Sequence, residues 1–263
     1  MKIAKMYRTI VATTLFILTC SFFVSAQNVI GLVQYIKADD PEEFLEIEKE
    51  WHKIYKELIK NNEFNGCSVY QVLYKTKQED YNFVKIKWFD AFSKISLRID
   101  YDHFKNAYPN RSEADWEDLL EKTDNSFKES SSGIFQMEAS CANGLDVEGF
   151  FYKINEIKIK PGKRKEYLSI MKDIYMPVFQ EDILEKHRTA WSMWAKWTGS
   201  TDNFEYTTAD GYANLEQIEE DRFNDYFNKI HPDKNIDTIS EQMNNIKTLV
   251  NSEMWKLIYR ILQ

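Results

Sequence analysis

Cysteine, proline, glycine and histidine are all scarce in this chain, whose 263 residues include 3 Cys, 5 Pro, 8 Gly and 4 His. So few cysteines exclude a disulfide-built scaffold. So little glycine and proline excludes a collagen-like or loop-dominated chain. Positive charge is in deficit as well: 34 Lys and Arg against 42 Asp and Glu give a formal net charge of −8, which leaves no electrostatic footprint for DNA or RNA. There is no P-loop, no GxGxxG fingerprint, no nucleophile elbow and no CxxC pair. Apolar side chains (43%) and aromatic ones (15%) are plentiful, enough for a real core and against wholesale disorder. At roughly 100–200 residues per domain, the length allows one large domain or two small ones.

Residues 1–26 read as a secretory signal rather than as fold. Lys2, Lys5 and Arg8 precede the uncharged, mostly apolar run Ile10–Val24, and Val24-Ser25-Ala26 supplies the small residues of a cleavage site before Gln27. The run is short for a membrane span of about 20 residues, and no later stretch is apolar enough to cross a bilayer. An uncleaved anchor is the alternative. A lipid anchor at Cys20 is disfavoured, because Ile17-Leu18-Thr19 is a poor lipobox and apolar residues continue past it. The expectation is an exported chain, periplasmic or secreted, with no stable membrane insertion once the leader is gone. Removing the leader's three basic residues takes the charge from −8 to −11 and leaves Cys67 and Cys141.

Periodicity gives one series of elements twice. Val29–Lys37 reads as a strand. Pro41 opens a helix capped by Asp39 or Asp40, with Phe44, Leu45, Ile47, Trp51, Ile54, Tyr55 and Leu58 as its apolar stripe. Strands follow at Gly66–Tyr74 and Asn82–Trp88, helical stretches at about 90–107 and 113–127, and a strand at Ile134–Ala139. The second series has a strand at Phe150–Ile159 and a helix opened by Pro161-Gly162. Strands at Thr189–Trp197 and Phe204–Tyr212 come next, then helices at about 214–230 and 236–250, and a last strand at Met254–Ile261. Pro177 removes a backbone donor inside the second series' first helix and predicts a kink or break there. A register of 123 residues pairs Leu45 with Leu168, Ile47 with Ile170, and Asp102-x-Phe104-x4-Pro109 with Asp225-x-Phe227-x4-Pro232.

Each series is β-α-β-β-α-α-β, a ferredoxin-like arrangement with one extra helix. The expected fold class is α+β: two tandem ferredoxin-like repeats, residues 27–142 and 143–263, whose antiparallel sheets pack face to face as an α+β barrel. Right-handed crossovers put the helices on one face of each sheet, and the bare faces cover each other. In strand order 4-1-3-2 the second and fourth strands lie roughly 14 Å apart at about 4.8 Å per step. Disulfide Cα atoms sit within about 7 Å, so a Cys67–Cys141 bridge is not expected.

On this architecture, and on the segments Ile154–Lys165, Tyr175–Gln180 and Trp191–Trp197, the chain resembles the dimeric α+β barrel superfamily in a single-chain tandem form. That group includes antibiotic-biosynthesis-type monooxygenases, haem-degrading enzymes, stress-responsive barrel proteins and NIPSNAP-like proteins, and exported proteins of uncharacterised function also carry the fold. The resemblance covers nearly the whole mature chain, and no member family's catalytic signature is complete. Haem-degrading members use Asn, Trp and His. Asn155 and Trp194 would supply two of these, and no histidine sits on the corresponding helix.

The densest feature for chemistry is the strand Thr189–Trp197. Alternation sends Trp191, Met193, Ala195 and Trp197 to one face, and Ser192, Trp194 and Lys196 to the other. Either both faces simply fill the core, or Trp194 walls a ligand pocket between sheet and helices. Asn155, Trp194, Lys196 and Tyr206 are the ligand-binding candidates. Glu156, Asp210 and His187 are the weak catalytic candidates, since a buried strand carboxylate has a raised pKa and can serve as acid or base. Glu48 and His52 share a helical face, but two groups do not make a metal site, and no metal or cofactor is expected. His103 reads as solvated on an acidic helix, and His231 as a helix-end residue.

The leading expectation is therefore an exported barrel protein that binds a small apolar or aromatic molecule. A cofactor-free monooxygenase-like enzyme and a non-catalytic structural or interaction module are the alternatives. The duplication predicts a monomer that is a pseudo-dimer, and a homodimer through edge strands is the other option.

Overall fold

A computed structural model of the chain describes residues 29–76, 80–142, 147–199, 203–220 and 222–263. The leader, with Cys20, lies outside the described residues. Among the described residues there are eight strands: β1 (Ile30–Lys37), β2 (Gly66–Lys75), β3 (Phe83–Phe89), β4 (Lys128–Ala142), β5 (Phe151–Ile159), β6 (Ala190–Gly199), β7 (Tyr206–Tyr212) and β8 (Lys247–Leu262). They close into one antiparallel barrel in the order β1-β3-β2-β8-β5-β7-β6-β4.

The α+β barrel is the expected one, but the two sheets form it edge to edge rather than face to face. The four strands of the first half lie in the order β4-β1-β3-β2 and those of the second in the order β8-β5-β7-β6, and the two sets join by their edges. One seam runs from Gly66↔Leu262 to Lys75↔Glu253, and the other from Gly133↔Gly199 to Ala142↔Ala190. Edge strands carry unpaired N–H and C=O groups, and closure satisfies all of them at once. The seams also explain why β4 and β8, at 15 and 16 residues, exceed the expected lengths. Each pairs with a strand from both halves: β4 with β1 and β6, β8 with β2 and β5. The helix expected to reach residue 250 accordingly stops at Ile246, and β8 begins at the next residue.

Helices cover the outer face. In the first half these are α1 (Pro41–Lys60), α2 (Tyr101–Ala107) and α3 (Glu113–Ser126). Asp40 caps α1, its Oδ1 accepting from the N–H groups of Glu42 and Glu43 at 3.0 and 3.1 Å. The stripe Phe44, Ile47, Trp51, Ile54, Tyr55 and Leu58 is buried against the sheet as the periodicity requires. The expected helix over 90–107 is instead a 3-10 turn at Phe92–Lys94 followed by α2. Asp100 is the reason: its carboxylate accepts from the N–H groups of Asp102 and His103, so a new helix starts there.

The second half carries α4 (Arg164–Ile170), α5 (Met176–Leu184), α6 (Glu216–Glu219), α7 (Phe223–Ile230) and α8 (Ile236–Ile246). A π turn, Met171–Tyr175, joins α4 to α5 immediately before Pro177. Proline has no N–H to give the carbonyl four residues back, and a wider turn absorbs the missing bond. The helix expected over 214–230 is divided between α6 and α7.

Candidate functional site

Both faces of the barrel wall are lined by large side chains. Trp191, Met193 and Ala195 of β6 face outward into the layer beneath α4, α5 and α8. Trp194 faces inward with Val33, Tyr70, Tyr152, Ile154 and Trp255. The expected position of the pocket is thereby corrected. It lies inside the barrel, because the helix side of the sheet is packed solid.

The inner face encloses a cavity of about 530 Å³, within the range of roughly 300–1,000 Å³ common for small-molecule sites. Aromatic rings dominate its wall. Trp88 and Trp194 approach with ring centroids 5.3 Å apart, and Tyr70 meets Tyr152 edge-on at 5.5 Å and Trp255 at 5.5 Å. Gly31 belongs to the wall because a Cβ there would come within 3.2 Å of the Trp88 ring. Of the described side chains that line the cavity, Arg260 alone is charged, and none is a carboxylate or a histidine.

Arg260 is held by the wall itself. Its Nε donates to Ser68 Oγ at 3.0 Å and its Nη2 to the Tyr70 hydroxyl at 2.5 Å, while the guanidinium lies 5.9 Å from the Tyr152 ring. Ser68 Oγ also accepts from Trp88 Nε1 at 2.9 Å. Ser68 and Tyr70 are buried, so one serine fixes both the cation and the indole that borders it. Trp194 is fixed separately, its Nε1 donating to Ser192 Oγ at 2.8 Å. Burial, with Tyr70 adding to it, pushes the Tyr152 phenol well above its usual range, so it is an O–H group at any physiological pH.

Another polar cluster sits on the inner face around Trp255. Glu253, 2% exposed, accepts from Trp255 Nε1 at 2.5 Å, from Asn251 Nδ2 at 2.8 Å and from the Tyr81 hydroxyl. The carboxylate thereby orients the Trp255 indole in the cavity wall.

The other sequence candidates are dispersed. Asn155 points outward, with Nδ2 3.3 Å from Asp210 Oδ2 and Oδ1 accepting from Ser252 Oγ at 3.0 Å. It is therefore on the opposite side of the sheet from Trp194, and the two do not form part of one triad. Tyr206 is also outward, packed on Tyr167 and accepting from Arg164 Nε at 2.6 Å. Lys196 faces inward but stacks its ammonium 4.1 Å from the Phe204 ring and does not line the cavity. Glu156 is buried on the inner face and is likewise outside the lining. His187 lies 3.5 Å from Glu220 near Tyr226, on the outer side.

Asp210 belongs to a buried ion cluster beneath α5. Arg188 donates to it and, through Nε, to Asp182 at 2.9 Å, with the guanidinium 4.6 Å from the Phe179 ring. Burial pushes the Asp210 carboxyl up, against the pull of Arg188. The first half has an analogous arrangement under α1. Lys85 Nζ lies 2.6 Å from Glu48 Oε1, whose second oxygen accepts from the Tyr259 hydroxyl at 2.7 Å. Glu48 is thus committed to Lys85 and Tyr259, and His52 stacks on the Tyr259 ring at 4.8 Å. Among the described residues no group of three or more His, Cys, Asp or Glu could hold a metal ion. Cys67 and Cys141 are free thiols.

Comparison with solved structures places this barrel among known folds. It is similar to a candidate monooxygenase from Fusobacterium nucleatum (12% identity, TM-score 0.53, covering 91% of this chain and 96% of that one). A candidate monooxygenase from Lactobacillus acidophilus is similar over 90% of this chain and 97% of its own, at 10% identity and TM-score 0.55. The shared fold is a closed antiparallel α+β barrel. An anthrone oxidase-like protein shares it at 7% identity and TM-score 0.51, over 90% of this chain and 93% of that one. No protein-family model matches the chain, and no curated protein matches it. At such identities the likeness speaks for the α+β barrel alone.

Sequence reasoning missed Trp88, Tyr70, Tyr152, Trp255 and Arg260. A signal for Arg260 is present: it stands among Leu257, Ile258, Tyr259, Ile261 and Leu262. A cation there needs a built environment on one face of the sheet.

Proposed function

We propose that this protein is a single-chain α+β barrel that binds a flat, largely apolar or aromatic molecule inside the barrel. The observation that carries the reading is the cavity of about 530 Å³ walled by Trp88, Trp194, Tyr70, Tyr152 and Trp255. Apolar walls with a few fixed polar groups are the usual composition of small-molecule sites, and a filled core would leave no such space. The same proposal reads the chain as two ferredoxin-like repeats, residues 27–142 and 143–263, in a monomer acting as its own pseudo-dimer, a reading supported by the matching strand orders β4-β1-β3-β2 and β8-β5-β7-β6. Export belongs to the same proposal, supported by Lys2, Lys5, Arg8 and the apolar run Ile10–Val24.

The test uses a neutral aromatic probe, 2-naphthamide, followed by tryptophan fluorescence. The expected result is saturable quenching. Ala209→Trp, which fills the cavity from β7, should weaken it at least tenfold, and Trp197→Ala, an exposed position, should not. Absence of saturable quenching by naphthyl compounds, or full binding by a folded Ala209→Trp variant, refutes the reading.

The candidate monooxygenases and the anthrone oxidase-like protein support a second reading, in which the bound aromatic is oxidised by O2 without a cofactor. An oxygen electrode with anthrone measures this directly. No uptake above the buffer rate removes the oxygenase and leaves the binding protein.

A further inference from the structure

We infer that the cavity selects an anionic aromatic, with Arg260 and Tyr70 gripping a carboxylate or another oxyanion at the ligand's edge. The inference rests on the binding proposal above and adds the ligand's charge class. Arg260 contributes the single charged side chain of the described lining, and no acidic side chain shares that lining. Glu253 and Glu156 are buried on the same inner face but stand outside that lining.

The site is also organised before a ligand arrives. Ser68 and Tyr70 hold two edges of the guanidinium, at 3.0 and 2.5 Å, and both are nine-tenths or more buried. Because the Tyr70 oxygen accepts from Arg260, its own hydrogen is left to donate. An oxyanion beside the two groups would receive a guanidinium N–H and a phenol O–H together, both charge-assisted. Trp88, fixed through the same Ser68 hydroxyl, would lie along the ring system that carries the oxyanion. Arginine suits this role better than lysine, since its planar donor fork is oriented by two partners and stays charged.

The measurement compares 2-naphthoate with 2-naphthamide, which share a shape and differ in charge, at pH 7 on the intact protein. The expected result is that naphthoate binds about ten- to a hundredfold tighter, the range for a hydrogen bond to a charged group. Arg260→Gln should reduce the ratio to near one, through loss of naphthoate affinity. Tyr70→Phe, a milder variant that removes the phenol alone, should lower the ratio several-fold. Near-ultraviolet circular dichroism checks that both variants keep the native packing. Equal affinities in the unmodified protein, or a naphthoate preference that survives in both variants, overturn the inference and leave the aromatic-binding proposal standing. If neither compound binds, the binding proposal fails first and the inference with it.

Discussion

Deleting the ammonium of Lys85 is the sharpest test of how the outer layer is held. Its side chain is 6% exposed and that of Glu48 is fully buried, with 2.6 Å between Nζ and Oε1. Lys85→Met keeps the stem and strands the Glu48 carboxylate with the Tyr259 hydroxyl as its remaining partner. Removing one member of a buried pair costs about 3–5 kcal/mol, because an uncompensated charge is left behind. That is a large share of a total stability of roughly 5–15 kcal/mol. At about 2–4 °C per kcal/mol for a chain of this size, the melting temperature should fall by about 6–20 °C. Adding Glu48→Leu to Lys85→Met removes the stranded charge. The double variant should recover to within about 1–3 kcal/mol of the parent, the residue being the Tyr259 hydroxyl left without its acceptor. Urea unfolding followed by tryptophan fluorescence measures all three proteins. A single variant that loses less than about 1 kcal/mol, or a double variant no more stable than the single, refutes the reasoning. The pair also predicts a pH slope. Burial alone would lower the Lys85 ammonium, Glu48 beside it outweighs burial, and the net shift is upward. The stability it supplies is complete below the unfolded lysine value of about 10.4 and is lost as pH rises toward the folded value, a slope that Lys85→Met should lack.

Gly199 has φ +101, and a Cβ there would lie 2.1 Å from the Ser132 carbonyl oxygen. Gly199→Ala should therefore open the end of the β4·β6 seam and cost more than about 1 kcal/mol, readable as faster amide exchange at Gly133 and Gly199. Cys67 and Cys141 are both pushed up to about 12 by burial, so neither should react with a thiol reagent at pH 8 until the barrel is unfolded. Mass spectrometry of the labelled peptides reports each one. His103 is bonded to Glu63 at 3.1 Å and to Asp100 at 2.6 Å. Burial lowers its pKa, the two carboxylates raise it more, and the net shift is up. Its stabilising contribution is thus complete below about pH 6.5 and lost as pH rises through the folded value. His103→Gln should flatten the melting temperature between pH 6 and 8.

The outer layer was legible because helices announce themselves: Pro41, a capping aspartate and a 3.6-residue apolar stripe fix α1 without tertiary information. The breaks within 90–107 and 214–230 were less so, since a mid-segment cap such as Asp100 competes with helix propagation only when its side chain turns back on the backbone. The inner site was hidden for a different reason. Alternation divides β6 into a Trp191 face and a Trp194 face, yet both faces of this barrel are apolar, so the sequence carries no mark of which side is hollow. Glu156 and Asp210 illustrate the point. Both are buried strand carboxylates, on opposite faces, and neither lines the cavity. Closure by edges was equally silent, because pairing Gly66 with Leu262 depends on the twist and reach of strands nearly two hundred residues apart.

The β8 strand has a consequence for biosynthesis. It joins β2 to β5 and carries Trp255 and Arg260 into the cavity wall. Until its residues have been made, a nascent chain has a strand edge at β2 with no partner and an apolar inner face open to water. Such intermediates are prone to aggregate. The barrel and its cavity therefore close only once β8 is in place, so an open seven-stranded intermediate precedes any site at which a ligand can help to stabilise the chain.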